Sequence, residues 1–138
     1  SMGTWSHDSR SHVAHMDDGD FYSSEQSVVI DQAGDVKIEF TDTNGNATVL
    51  KQQTPVIEGE VIDATCMNRN KLRAFYAKEI AAAKEEGVLL SLHLKATMMK
   101  VSDPIMFGHC VTVFFADVFE KHAAVFAELG VDANNGVR

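Results

Sequence analysis

The sequence predicts an α/β fold: a β-hairpin or short meander, then a βαβ unit, then C-terminal helices. Three observations carry this expectation. Residues 36–41 alternate apolar and polar side chains ahead of Asn44-Gly45, with the short, largely apolar runs 28–30 and 47–50 on either side. Leu72, Phe75, Tyr76, Ile80 and Ala83 recur at helical spacing. In residues 88–97 the even positions are apolar and Ser91, His93, Lys95 and Thr97 take odd ones. A period of two places side chains on opposite faces of a strand, and a period near 3.6 places them on one face of a helix.

With 138 residues, 45% hydrophobic and 23% charged, the chain suits one soluble domain. The expected layout is a polar segment, 1–26, with a short strand, followed by a single α/β domain, 27–138. Twelve basic against twenty acidic residues leave a net charge of -8. That balance argues against nucleic acid or an anionic membrane as the main partner, because both require positive surface. The longest apolar run, Ile105 to Ala116, is interrupted by Gly108, His109 and Thr112 and falls short of the ~20 residues that span a bilayer. Cys66 and Cys110 lack CxxC spacing, which suggests free thiols in a reducing, cytoplasmic setting. No signal peptide is visible, and Ser1-Met2 reads as a cloning remnant.

In the polar segment only Val13-Ala14-His15-Met16 resembles a strand. His7, His12 and His15 lie nearby in an unpatterned stretch without cysteine, where solvent-facing or hydrogen-bonded histidines are a better expectation than a metal site. Val28–Ile30, Val36–Thr41 and Ala47–Leu50 read as strands, the last two joined by a hairpin at Asn44-Gly45, since both residues tolerate positive φ. Pro55 and Gly59 bracket a turn, and Glu60–Met67 reads as a further strand with Ile62, Ala64 and Cys66 on one face. Asp63 and Thr65 fall on the other face. Asn68 or Asn70 can cap a helix that ends at Gly87. Strand 88–97 would then lie parallel to strand 60–67.

Asp103-Pro104 has the chemistry of a helix start, and residues 105–115 are apolar almost all round, predicting a helix buried on most sides. Asp117 and Glu120 offer a second cap, with Phe119, His122, Phe126 and Leu129 as a stripe ending at Gly130. Two helices, or one kinked near Ala116, are expected. His109 and His122 read as packed or capping histidines, because neither has a second ligand at helical spacing.

No glycine-rich phosphate loop, nucleophile elbow or HExxH is present. On the strand 88–97, Ser91, His93, Lys95 and Thr97 share one face, with Lys100 just beyond it. A lysine between apolar neighbours can be tuned by burial for acid–base work or for stabilising an alkoxide.

The run Leu92-His-Leu-Lys-Ala-Thr-Met-Met-Lys-Val-Ser-Asp-Pro-Ile-Met-Phe-Gly-His109, with Phe114-Phe-Ala-Asp-Val-Phe and Ala127-Glu-Leu-Gly-Val, resembles the monomeric, NADP-dependent isocitrate dehydrogenases of bacteria. Ser6-His-Asp-Ser-Arg-Ser-His-Val-Ala-His-Met and Gly59-Glu-Val-Ile-Asp-Ala-Thr extend the resemblance over nearly the whole chain. It implies part of the large domain of isocitrate and isopropylmalate dehydrogenase-like enzymes. It also implies oxidative decarboxylation of isocitrate to 2-oxoglutarate in the tricarboxylic acid cycle or glyoxylate bypass, with NADP and Mg or Mn. By the Leu-Lys-Ala-Thr-Met-Met-Lys motif, Lys95 becomes the catalytic, substrate-binding lysine, with Lys100 the weaker candidate.

The family's catalytic tyrosine, metal-binding aspartates, substrate arginines and most NADP contacts have no counterpart in this stretch. No metal ligand or cofactor-binding residue is therefore assigned. The expected object is an internal fragment, inactive alone, with no bound cofactor. Apolar faces around Phe114 to Phe119 should be bare and should drive homo-oligomer formation. The alternative is a non-catalytic module that binds a small acid or a protein.

Overall fold

A computed structural model describes residues 3–94 and 98–136. It is a mixed α/β arrangement with small antiparallel sheets and several helices. The described residues form two compact units, one over Ser24–Cys66 and the other made of the residues up to Ser23 together with those from Met67 onward.

In the unit Ser24–Cys66, β1 (Gln26–Val29) pairs antiparallel with β4 (Val61–Ala64), placing Val28 opposite Ile62. β2 (Gly34–Thr41) pairs antiparallel with β3 (Ala47–Val56), with irregularities on either side of Ile38. The hairpin expected at Asn44-Gly45 is present, and Gly45 takes φ 85°. Asp42 organises it. Its carboxylate accepts the Asn46 side-chain amide at 2.9 Å, the Asn46 backbone N–H at 2.9 Å and the Asn44 backbone N–H at 2.8 Å, which together hold the Asp42 carboxyl below its ordinary pKa.

The turn expected between Pro55 and Gly59 is present, closed by the Glu60 N–H on the Ile57 carbonyl at 3.2 Å with Gly59 at φ 80°, while Pro55 itself lies inside β3, opposite Asp35. A two-stranded sheet consists only of edges, where a residue without an N–H is tolerated. The expected parallel pairing of strand 60–67 with strand 88–97 is absent among the described residues: β4 pairs with β1, and Val88–Leu94 carries neither strand nor helix. β4 itself stops at Ala64, because Ser24 Oγ bonds Thr65 Oγ1 at 2.8 Å and accepts the Cys66 N–H at 3.1 Å.

In the other unit, α1 (Phe21–Ser24) begins at a reciprocal cap. Asp20 accepts the Ser23 N–H at 3.0 Å while Ser23 Oγ accepts the Asp20 N–H at 3.2 Å. Val13–Met16 is not a strand, for it has no partner edge, and Val13 is exposed. α2 (Arg69–Glu86) has both predicted ends. The Asn68 side chain accepts the N–H groups of Asn70 and Lys71, and Gly87 closes the helix at φ 65°. The Val88 N–H reaches the Ala83 carbonyl at 3.0 Å, the six-to-one bond of a Schellman end. Leu72 and Tyr76 from its stripe are buried.

α3 (Ser102–Phe114) starts one residue before Asp103, which is buried in the first turn. Pro104 still costs no helix bond there, because first-turn N–H groups have no intrahelical acceptor. The expectation that α3 is buried on most sides fails: Gly108 and Val111 are covered, whereas Ile105 and Phe114 are exposed. It packs on α2 and on a 3₁₀ turn, Ala133–Asn135, which Asp132 caps. The helical run then breaks twice, at Phe115 and at His122, giving α4 (Ala116–Lys121) and α5 (Ala123–Leu129). Gly130 ends α5 as expected, in the left-handed conformation. Phe119 and Phe126 meet edge to face at 5.1 Å, while His122 and Leu129 of the same stripe are exposed.

Candidate functional site

Lys95, the residue on which the resemblance converges, lies with Ala96 and Thr97 outside the described residues; the segments on either side of it are described. Before it, Leu92 and Leu94 are half-buried while Ser91 and His93 are exposed, so burial keeps the alternation without a ladder. After it, Met98–Val101 leads into α3 and presents Lys100 to solvent.

That second segment forms one wall of an open cleft of about 610 Å³. Phe21, Met67, Leu72 and the first two turns of α3 complete it. The lining is mostly apolar, and four of its residues are methionines: Met67, Met98, Met99 and Met106. Its polar residues are Arg69, Lys100, Ser102 and His109, with no carboxylate among them. The placement follows from the helix starts. Asn68 caps α2, which sets Arg69 at the first helical position, and Lys100 lies two residues before the start of α3. His109 lies about two turns further along α3 and faces α2.

Arg73 on α2 fixes that face. Its Nη1 donates to Thr112 Oγ1 at 2.7 Å and approaches His109 Nδ1 at 3.5 Å. Thr112 Oγ1 donates in turn to the His109 carbonyl at 3.1 Å. A guanidinium has no acceptor, so Nδ1 can only accept from it and the ring proton belongs on Nε2. Burial, then the charges of Arg73 and Arg69, push the His109 pKa below its ordinary value. His109 is therefore a packed, neutral histidine, as its spacing suggests. Tyr76, buried beside Phe75 with ring centroids 5.9 Å apart, has its phenol pushed up to about 12 by burial and by Cys110.

Asp63, which reads as a lone strand aspartate, has a companion that spacing does not reveal. A hydrogen bond and charge from Asp63 raise the pKa of Glu25. The histidines of the polar segment do not converge. His12 Nδ1 lies 2.9 Å from the Arg10 carbonyl and His15 Nδ1 lies 3.2 Å from that of Met16. Arg69 and Arg73 were not legible as site residues, since a charge on the polar side of a helix ordinarily marks a solvated face.

By fold and cleft, this is a mixed α/β segment offering positive charge over an apolar wall. A family model described as Monomeric isocitrate dehydrogenase matches residues 1–138. The chain is 62% identical over 137 residues to isocitrate dehydrogenase [NADP] 2 of Colwellia maris. It is 58% identical over 136 residues to isocitrate dehydrogenase [NADP] of Azotobacter vinelandii, and 50% identical over 137 residues to isocitrate dehydrogenase [NADP] 2 of Mycobacterium tuberculosis. Each match takes in 99% of this chain and 18% of the relative, so the chain spans under a fifth of the length of these curated relatives. The chain belongs to the monomeric isocitrate dehydrogenase family.

Proposed function

We propose that this chain is the part of a monomeric isocitrate dehydrogenase that supplies the active-site lysine, Lys95. The observation that supports the reading is the family match over residues 1–138, including the Leu94-Lys95-Ala96-Thr97 motif. The reaction of the whole enzyme is oxidative decarboxylation of isocitrate to 2-oxoglutarate with NADP and Mg or Mn. The role proposed for Lys95 is to hold or move the proton of the substrate hydroxyl and to stabilise that oxygen as charge develops on it, chemistry that an ammonium group can supply.

The described residues contain no cluster of three His, Cys, Asp or Glu side chains able to hold a metal ion, and the sequence has no glycine-rich phosphate loop. The same reading assigns the donors for metal and NADP to the rest of the relatives' length, and no step here runs through either group. A place in the large domain of isocitrate and isopropylmalate dehydrogenase-like enzymes, and a cytoplasmic location, belong to the same reading. No helix among the described residues is long and apolar enough to cross a membrane.

The 138-residue chain, purified alone, should form no NADPH when given isocitrate, NADP and Mg. Isocitrate-dependent NADPH formation by this chain would overturn the claim that it supplies only part of the site. Phe114, Phe115 and Val118 are exposed, and self-association of the isolated chain through this face is part of the same proposal.

A further inference from the structure

We propose that the cleft at the starts of α2 and α3 binds an organic anion with an apolar body, of the class of a medium-chain carboxylate, through Arg69 and Lys100. The inference is independent of the catalytic role given to Lys95. It rests on the cleft's size, its wall and its charge. A volume of about 610 Å³ lies within the range of small-molecule sites, roughly 300–1,000 Å³. The wall carries four of the chain's six methionines, unbranched and polarizable side chains that adapt to irregular apolar ligands.

Two cations stand over this wall in a chain of net charge -8. Arg69 and Lys100 are exposed, and among the described residues neither has a salt bridge or a side-chain hydrogen bond to a carboxylate. Asp103 is buried in the first turn of α3 but is not part of the lining. A neutral His109 adds a hydrogen-bonding nitrogen without further charge. The arrangement selects against a small polyanion such as isocitrate or inorganic phosphate, because desolvating several charges against methionine and leucine is costly. A single carboxylate carried on a hydrocarbon chain leaves its head at Arg69 and Lys100 and buries its tail.

The test uses this chain with isotope-labelled methionine methyl groups, titrated with decanoate, decanol and isocitrate. Decanoate should shift the methyl signals of Met67, Met98, Met99 and Met106 and leave Met16 in place. Arg69→Gln with Lys100→Gln should weaken decanoate about tenfold while leaving decanol unchanged, since a charge-assisted contact is worth about that factor. Both positions are exposed, so the fold should survive, and raised salt provides a second, mutation-free way to weaken binding. Unmoved methionine signals, equal decanoate affinity in the double variant, or decanol binding as tightly as decanoate would each overturn the proposal. So would isocitrate shifting the same four signals more strongly than decanoate.

Discussion

Arg73 Nη1 donates a 2.7 Å hydrogen bond to Thr112 Oγ1, tying α2 to α3 across 39 residues of sequence. The same hydroxyl donates to the His109 carbonyl, so the arginine also fixes the turn of α3 that faces the cleft. Thr112→Val removes the acceptor but keeps the volume, leaving a half-buried guanidinium short of a partner. A loss of about 1–2 kcal/mol in urea unfolding is expected. A cycle with Arg73→Met should show coupling of about 1 kcal/mol, and additive effects would contradict the tie.

Gly108 marks where α3 meets the C-terminal 3₁₀ turn. A Cβ there would lie 2.0 Å from Asn134 Oδ1 and 3.0 Å from the Asn134 backbone nitrogen. Mid-helix Gly→Ala ordinarily stabilises by up to ~1 kcal/mol, but this one displaces backbone as well as a side-chain tip. Gly108→Ala should therefore lower stability by about 1–2 kcal/mol. A higher melting temperature would show that the helix and turn are not in close contact.

His109 gives stability a pH dependence of known sign. Its folded pKa lies below the ordinary 6.5, so as pH falls the unfolded chain takes up this proton first. The stability contributed above 6.5 is thus lost as pH falls from 6.5 through the folded value. A ring-proton titration should place His109 below 6.5, and His109→Gln should flatten this part of the stability profile. A value at or above 6.5 would show that burial and the two arginines do not dominate its surroundings.

The thiols should separate by reactivity. Both cysteines are free; Cys66 is exposed, whereas burial pushes the half-buried Cys110 thiol up. A chromogenic disulfide reagent should modify Cys66 quickly and Cys110 only slowly, with Cys110 released on unfolding. Equal rates would contradict the packing of Cys110 near Tyr76.

What was legible in the sequence was what short-range chemistry controls. Asn68 and Gly87 bound α2 because a cap is made within one helical turn, and Asn44-Gly45 marks its hairpin for the same reason. The partner of β4 was not legible. Ile62 alternates with its neighbours identically whether the strand beside it is β1 or residues 88–97, and only the availability of an edge decides. The apolar character of α3 likewise says nothing about how many neighbours cover it. The cleft was not legible in the sequence because Arg69 and His109 are forty residues apart and each, alone, reads as ordinary. Lys95 stands the other way round: a motif singles it out, while its position falls outside the described residues.

The catalytic assignment is tested most directly by replacing the corresponding lysine with methionine in a full-length member of the family and measuring turnover with isocitrate and NADP. Loss of a positioned proton-transfer group predicts a fall in kcat of at least about a hundredfold in a protein that still folds. A kcat left essentially unchanged would contradict the role given to Lys95.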